Sequence, residues 1–116
     1  MKESILVVEE ESQVLKMYQD ELEALGYEVE CASSREAAIK KFRAHPTDLI
    51  LIDLPSSEAS QLKSLEDFLR MKRDVKLIVN TKCPPTCDFN YWMADAVMSR
   101  PTDLATLGET VRGVLR

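Results

Sequence analysis

The chain has 116 residues, 45% of them apolar and 30% charged, with a net charge of −5 at neutral pH. This length suits one domain around one core, the composition carries no disorder signature, and the negative balance argues against nucleic acid as the main partner. No apolar stretch approaches membrane-spanning length, no signal-peptide layout follows Met1, and three cysteines, an odd count, point to reduced thiols in a cytoplasmic setting.

In chain order, Ile5-Leu6-Val7-Val8 is a continuous rather than alternating apolar run, as expected of a strand buried on both faces of a parallel sheet. It runs into Glu9-Glu10-Glu11. Ser12 is placed to cap a helix whose apolar face is Val14, Leu15, Tyr18, Leu22 and Leu25, closed by Gly26 at the C′ position. Residues 27–31 read as a second strand. Ser33 with Glu36 three residues on forms a capping box for a helix that buries Ala37, Ala38 and Phe42 and stops at His45-Pro46.

The third strand, Leu49-Ile50-Leu51-Ile52, ends at Asp53. A polar, turn-like stretch covers 54–61 before helical spacing resumes with Leu62, Leu65, Phe68 and Leu69. Residues 75–80 form the fourth strand and lead to Thr81. Cys83-Pro84-Pro85-Thr86-Cys87 forbids an immediate helix, and a short helix is placed around 89–93. Ala96-Val97-Met98-Ser99 is the fifth strand and runs into Arg100-Pro101. A final helix starts at Thr102 or Asp103 and carries Leu104, Leu107, Val111, Val114 and Leu115. This alternation predicts an α/β domain over 1–116, with right-handed crossovers and helices on both faces of a five-stranded parallel sheet.

Parallel strands bring their C-terminal ends side by side, and in open α/β sheets ligands bind outside those ends. Three carboxylates (Glu9, Glu10 and Asp53), the Thr81 hydroxyl and the Arg100 cation therefore share one crevice. Converging carboxylates repel, so protonation or a cation must compensate. Mg²⁺ suits an all-oxygen site, but each Glu is one methylene longer than Asp, which makes a regular Mg²⁺ site harder to build. Arg100 offers a rigid guanidinium fork, and the expectation is that it pairs with Asp53 or with one of Glu9 and Glu10. Cys83 and Cys87 do not form a CxxC motif, and with one histidine in the chain they assemble no zinc site.

The fragments Ile5–Glu11, Asp48–Leu54, Leu77–Thr81 and Ala94–Pro101, in this order and spacing, resemble the receiver domains of two-component response regulators across essentially the whole chain. The resemblance implies the doubly wound, flavodoxin-like strand order 2-1-3-4-5. It implies that Asp53 accepts a phosphoryl group from a histidine kinase or phosphotransfer protein, and that Glu9 and Glu10 with Asp53 hold Mg²⁺. Thr81 would contact the phosphoryl group, as would Arg100, which stands where the family has lysine. The bond before Pro101 is commonly cis in such domains.

This chain departs from the family pattern in several places. The acidic pair is Glu-Glu, Val97 stands where an aromatic switch residue is usual, Lys82 follows Thr81, and the loops after Asp53 and Thr81 look shortened. The reading that follows is a bacterial, stand-alone receiver with no attached output domain. It is not an enzyme beyond Mg²⁺-assisted self-phosphorylation, and it signals by contact with proteins, a second copy of itself included, with no role at nucleic acid or membrane. The second reading is a pseudo-receiver, an interaction module independent of phosphorylation.

Overall fold

The continuous apolar runs pair with one another in the computed structural model, which describes residues 2–54, 59–81, 93–100 and 102–116. The described elements are β1 (Ser4–Val8), α1 (Ser12–Ala24), β2 (Glu28–Ala32), α2 (Arg35–Ala44), β3 (Leu49–Asp53), α3 (Ala59–Met71), β4 (Lys76–Thr81), β5 (Ala96–Ser99) and α4 (Leu104–Leu115). The five strands form one sheet in the order β2-β1-β3-β4-β5, and every pairing is parallel. The predicted architecture and strand order are those observed.

Each face of the sheet is covered by helices, which is why the central strands are apolar at every position rather than at every second one. On one face Leu6, Ile50, Leu77 and Val79 pack with Phe42 of α2 and Leu65 and Phe68 of α3. The Phe42 and Phe68 rings meet edge-on, 5.3 Å apart at 82°. On the other face Ile5, Val7, Leu51 and Ile78 pack with Leu22 of α1 and Leu107 and Val111 of α4. Each such fully buried aliphatic side chain contributes about 1.5–3 kcal/mol of transfer free energy.

Element ends show where local signals hold and where they slip. Gly26 closes α1 at φ +99°; its N–H bonds the Glu23 carbonyl and the Tyr27 N–H bonds that of Leu22, a Schellman motif. The cap of α2 is Ser34, not Ser33: its hydroxyl accepts the Ala37 N–H at 3.1 Å. Both serines have the same chemistry, and only the turn of the backbone decides which faces the free N–H. Ser12 lies inside α1, whose cap position is Glu11 with no side-chain cap. Asp103 caps α4, accepting the Thr106 N–H at 2.7 Å. The expected turn-like stretch ends earlier than predicted, because α3 begins at Ala59. The helix placed around 89–93, the Cys83 and Cys87 pair and the bond before Pro101 lie outside the described residues, apart from Met93, which stands in a turn.

Candidate functional site

Strand register assembles the site. Ile52 of β3 lies beside Val8 of β1, so the next residues along, Glu9 and Asp53, leave the sheet side by side. Asp53 lies beside Asn80 of β4, and Thr81 beside Ser99 of β5. Backbone bonds hold this edge: Glu9 N–H to the Ala32 carbonyl at 3.0 Å, Leu54 N–H to Asn80 at 3.0 Å and Arg100 N–H to Thr81 at 2.8 Å.

The side chains at this edge are enclosed to different degrees. Thr81 is fully buried and Glu9 is 2% exposed, whereas Glu10 is exposed to solvent. The side chains of Arg100 and Asp53 are 11% and 18% exposed. In front of the acids lies a cleft of about 450 Å³, lined by Glu9, Glu10 and Asp53 on one side and by Arg35, Glu36 and Ser64 on the other. Arg35 donates to the Ser64 hydroxyl at 3.3 Å across that wall.

Arg100 spans two acids at once. Its Nη1 stands 2.9 Å from Asp53 Oδ2 and its Nη2 stands 3.3 Å from Glu9 Oε1. The two contacts differ in kind. The one to Asp53 is a charge-assisted hydrogen bond. Glu9 Oε1 is buried and accepts no hydrogen bond among the described residues, so its attraction to the guanidinium is Coulombic without donor alignment. The other Glu9 oxygen accepts the Glu11 N–H at 3.0 Å. Burial pushes the Glu9 carboxyl above the usual glutamate range and Asp53 adds to this, while the Glu11 N–H and Arg100 oppose it without cancelling it. Burial works against the charge on Arg100, but Asp53 and then Glu9 outweigh it, and the guanidinium holds its proton more firmly than usual.

Of the residues singled out in the sequence, Glu9, Asp53 and Arg100 are in contact, Thr81 is joined to Arg100 through the backbone, and Glu10 lines the same cleft from an exposed position. Val97 sits half-buried on the α2–α3 side of the core. Sequence reasoning did not single out the buried Asn80. Its amide donates to the Tyr18 hydroxyl at 2.9 Å and its carbonyl accepts from Thr102 at 2.9 Å, tying α1 and the start of α4 to the end of β4. A polar residue closing an otherwise apolar run was the available signal.

The donor chemistry of this edge, carboxylate oxygens alone, suits a hard cation such as Mg²⁺, and the buried Glu9 Oε1 has lone pairs to give. Among the described residues no three His, Cys, Asp or Glu side chains stand close enough to hold an ion. The residues therefore fit a cation that takes one or two carboxylates and completes its shell elsewhere, with a guanidinium already resting on two of the acids.

The response regulator receiver domain model matches residues 5–90. The polar-differentiation response regulator DivK of Brucella ovis is 30% identical over 121 residues, covering 99% of this chain and 98% of DivK. The probable transcriptional regulator ycf27 of Pyropia yezoensis is 30% identical over 118 residues, covering 99% of this chain and 48% of that protein. The chain thus spans about half the length of ycf27 and nearly all of DivK. Among solved structures, the response regulator TrrA of Thermotoga maritima in complex with Mg²⁺-BeF superposes with a TM-score of 0.84 at 30% identity, covering 98% of this chain and 99% of that one. The complex of histidine kinase ThkA with response regulator TrrA contains a chain that matches with a TM-score of 0.85 at 31% identity, each covered completely.

Proposed function

The chain belongs to the response regulator receiver domains of two-component signalling, and from that premise we propose that Asp53 is its phosphoryl acceptor. The observation that carries the proposal is the placement of Asp53: at the C-terminal end of β3, partly exposed, facing a cleft of about 450 Å³ and hydrogen-bonded to a cation. A carboxylate oxygen of Asp53 attacks phosphorus, the bond from phosphorus to the donor breaks, and the leaving group keeps the electron pair and takes up a proton. Because phosphoryl transfer is mostly positioning and charge neutralisation, the work of this chain is to hold the acceptor and neutralise the oxygens. In this reading Arg100 swings one arm of its fork from Asp53 to a phosphoryl oxygen, and Thr81, buried at the end of the neighbouring strand, contacts another.

A bound Mg²⁺, such as accompanies BeF in TrrA, would take one or two carboxylates from among Glu9, Glu10 and Asp53, complete its shell elsewhere, and screen the acceptor from the incoming phosphoryl charge. A histidine kinase or phosphotransfer protein is the donor proposed, in keeping with the kinase-bound TrrA, and it brings a cytoplasmic location with it. No helix among the described residues is long and apolar enough to cross a membrane. The output is contact with another protein or a second copy of this chain.

Incubation with acetyl phosphate and Mg²⁺, followed by intact-mass measurement, tests the proposal. The wild type should gain one phosphoryl group and Asp53→Asn should gain none. The bond from Arg100 to Asp53 favours a second reading, a receiver fold used for contact alone with its acceptor permanently clamped. A wild type that stays unmodified under these conditions, and with a histidine kinase as donor, supports that reading and overturns the first.

A further inference from the structure

Arg100 places one nitrogen on each of two acids, and this bears on what else the crevice can hold. The oxygens engaged, Glu9 Oε1 and Asp53 Oδ2, belong to the carboxylates that a divalent cation would need; Glu9 is buried and Asp53 is partly so. Acids this close need a proton or a positive charge to offset their repulsion, and the guanidinium already supplies a charge. Arginine keeps that charge at every relevant pH and spans two partners in a way the point charge of lysine does not. Its main chain is fixed by the bond to the Thr81 carbonyl, so the fork is built into the sheet edge rather than hung from a loop.

We propose that Arg100 is the resident counter-ion of this crevice: it holds Glu9 and Asp53 together in the unmodified protein without a divalent cation, and a divalent cation binds there only in competition with it. Two cations on the same carboxylates repel one another, and in a partly enclosed site that repulsion is only weakly screened. The inference deepens the receiver reading, from which the expectation of Mg²⁺ comes, but it concerns the unmodified chain and stands or falls separately from phosphoryl acceptance.

Calorimetric titration with Mg²⁺, without any phosphodonor, tests it on wild type, Arg100→Ala and Arg100→Lys. Arg100→Ala should bind Mg²⁺ at least about tenfold more tightly than wild type, because both acids lose their competing charge. Arg100→Lys, which can satisfy only one acid at a time, should fall between the two. Adding Glu10→Gln to Arg100→Ala should reverse most of the gain, since the freed cleft then lacks its exposed carboxylate. Equal or weaker affinity in Arg100→Ala overturns the proposal. Should that variant fail to fold, Arg100→Lys with wild-type affinity overturns it alone. Failure of the acetyl phosphate experiment with success of this one leaves the counter-ion in place and removes only the acceptor role.

Discussion

At the N-terminal end of the sheet, Asp48 and Asp95 turn their carboxylates onto the backbone of neighbouring strands. Asp48 accepts the Ser4 N–H at 2.9 Å and the Ser4 hydroxyl at 3.2 Å, while its own N–H donates to the Ser4 carbonyl. Asp95 accepts the Leu77 N–H at 2.8 Å and donates its N–H to the Leu77 carbonyl at 2.7 Å. At the C-terminal end, Glu9 and Asp53 face a guanidinium and a cleft, and the backbone bond that the Glu9 carboxylate accepts is local, from the Glu11 N–H. Acids that bond the backbone of a neighbouring strand hold the sheet together, whereas acids whose neighbouring strand supplies a side-chain charge leave that charge open to exchange. The same side-chain chemistry thus staples one end of the sheet and, in the proposed function, leaves the other open to reaction.

The sharpest way to break this contrast is to remove the charge at the reactive end. Arg100→Ala leaves two enclosed carboxylates uncompensated and should destabilise the fold by about 1–3 kcal/mol at neutral pH, read from the urea midpoint. Unchanged stability would mean that the crevice relaxes by admitting water, and that its acids never depended on the fork. A smaller loss is expected at the stapled end. Asp48→Ala removes the acceptor of the Ser4 N–H and should cost about 1 kcal/mol. Its contact with Lys72 at 3.7 Å is too exposed to add much. Asp48→Ala should leave Mg²⁺ affinity and phosphoryl uptake at wild-type levels, and an altered crevice in this variant would show that the two ends are not separate.

The contrast also marks what was legible in the sequence. Strand ends at the reactive edge could be read because continuous apolar runs stop abruptly at charged residues, which named Glu9, Asp53 and Arg100 together. The strand order came from resemblance to a family, since apolar runs of similar composition do not say which neighbours which. The partner of Arg100 stayed open among three acids, because a choice between neighbouring carboxylates is made by rotamers and register. The answer is two of them at once. Asp48 and Asp95 were passed over because an aspartate before a strand looks like any loop residue until its partner, 44 residues away for Asp48, is brought alongside. Tyr18 reads as apolar by its place on the helix, and its hydroxyl acquires meaning only beside the Asn80 amide.

The smallest expected effect is a pH dependence, and it probes the reactive end without touching the stapled one. The Glu9 carboxyl sits above its ordinary value near 4.5, first through burial, with Asp53 adding to the rise and the Glu11 N–H and Arg100 opposing it. A group whose pKa is raised on folding binds its proton more tightly in the folded state. Its contribution is therefore fully present below the unfolded value and is lost as pH rises through the folded one. Without Arg100, one of the two opposing influences disappears, the rise is larger, and more stability is lost on the way to neutrality. The deficit of Arg100→Ala relative to wild type should accordingly shrink as pH falls from 7 toward the carboxylate range. Urea midpoints for the two proteins at several pH values check this. A deficit for Arg100→Ala that is constant or grows on acidification would show that neither carboxylate depends on the charge of the guanidinium.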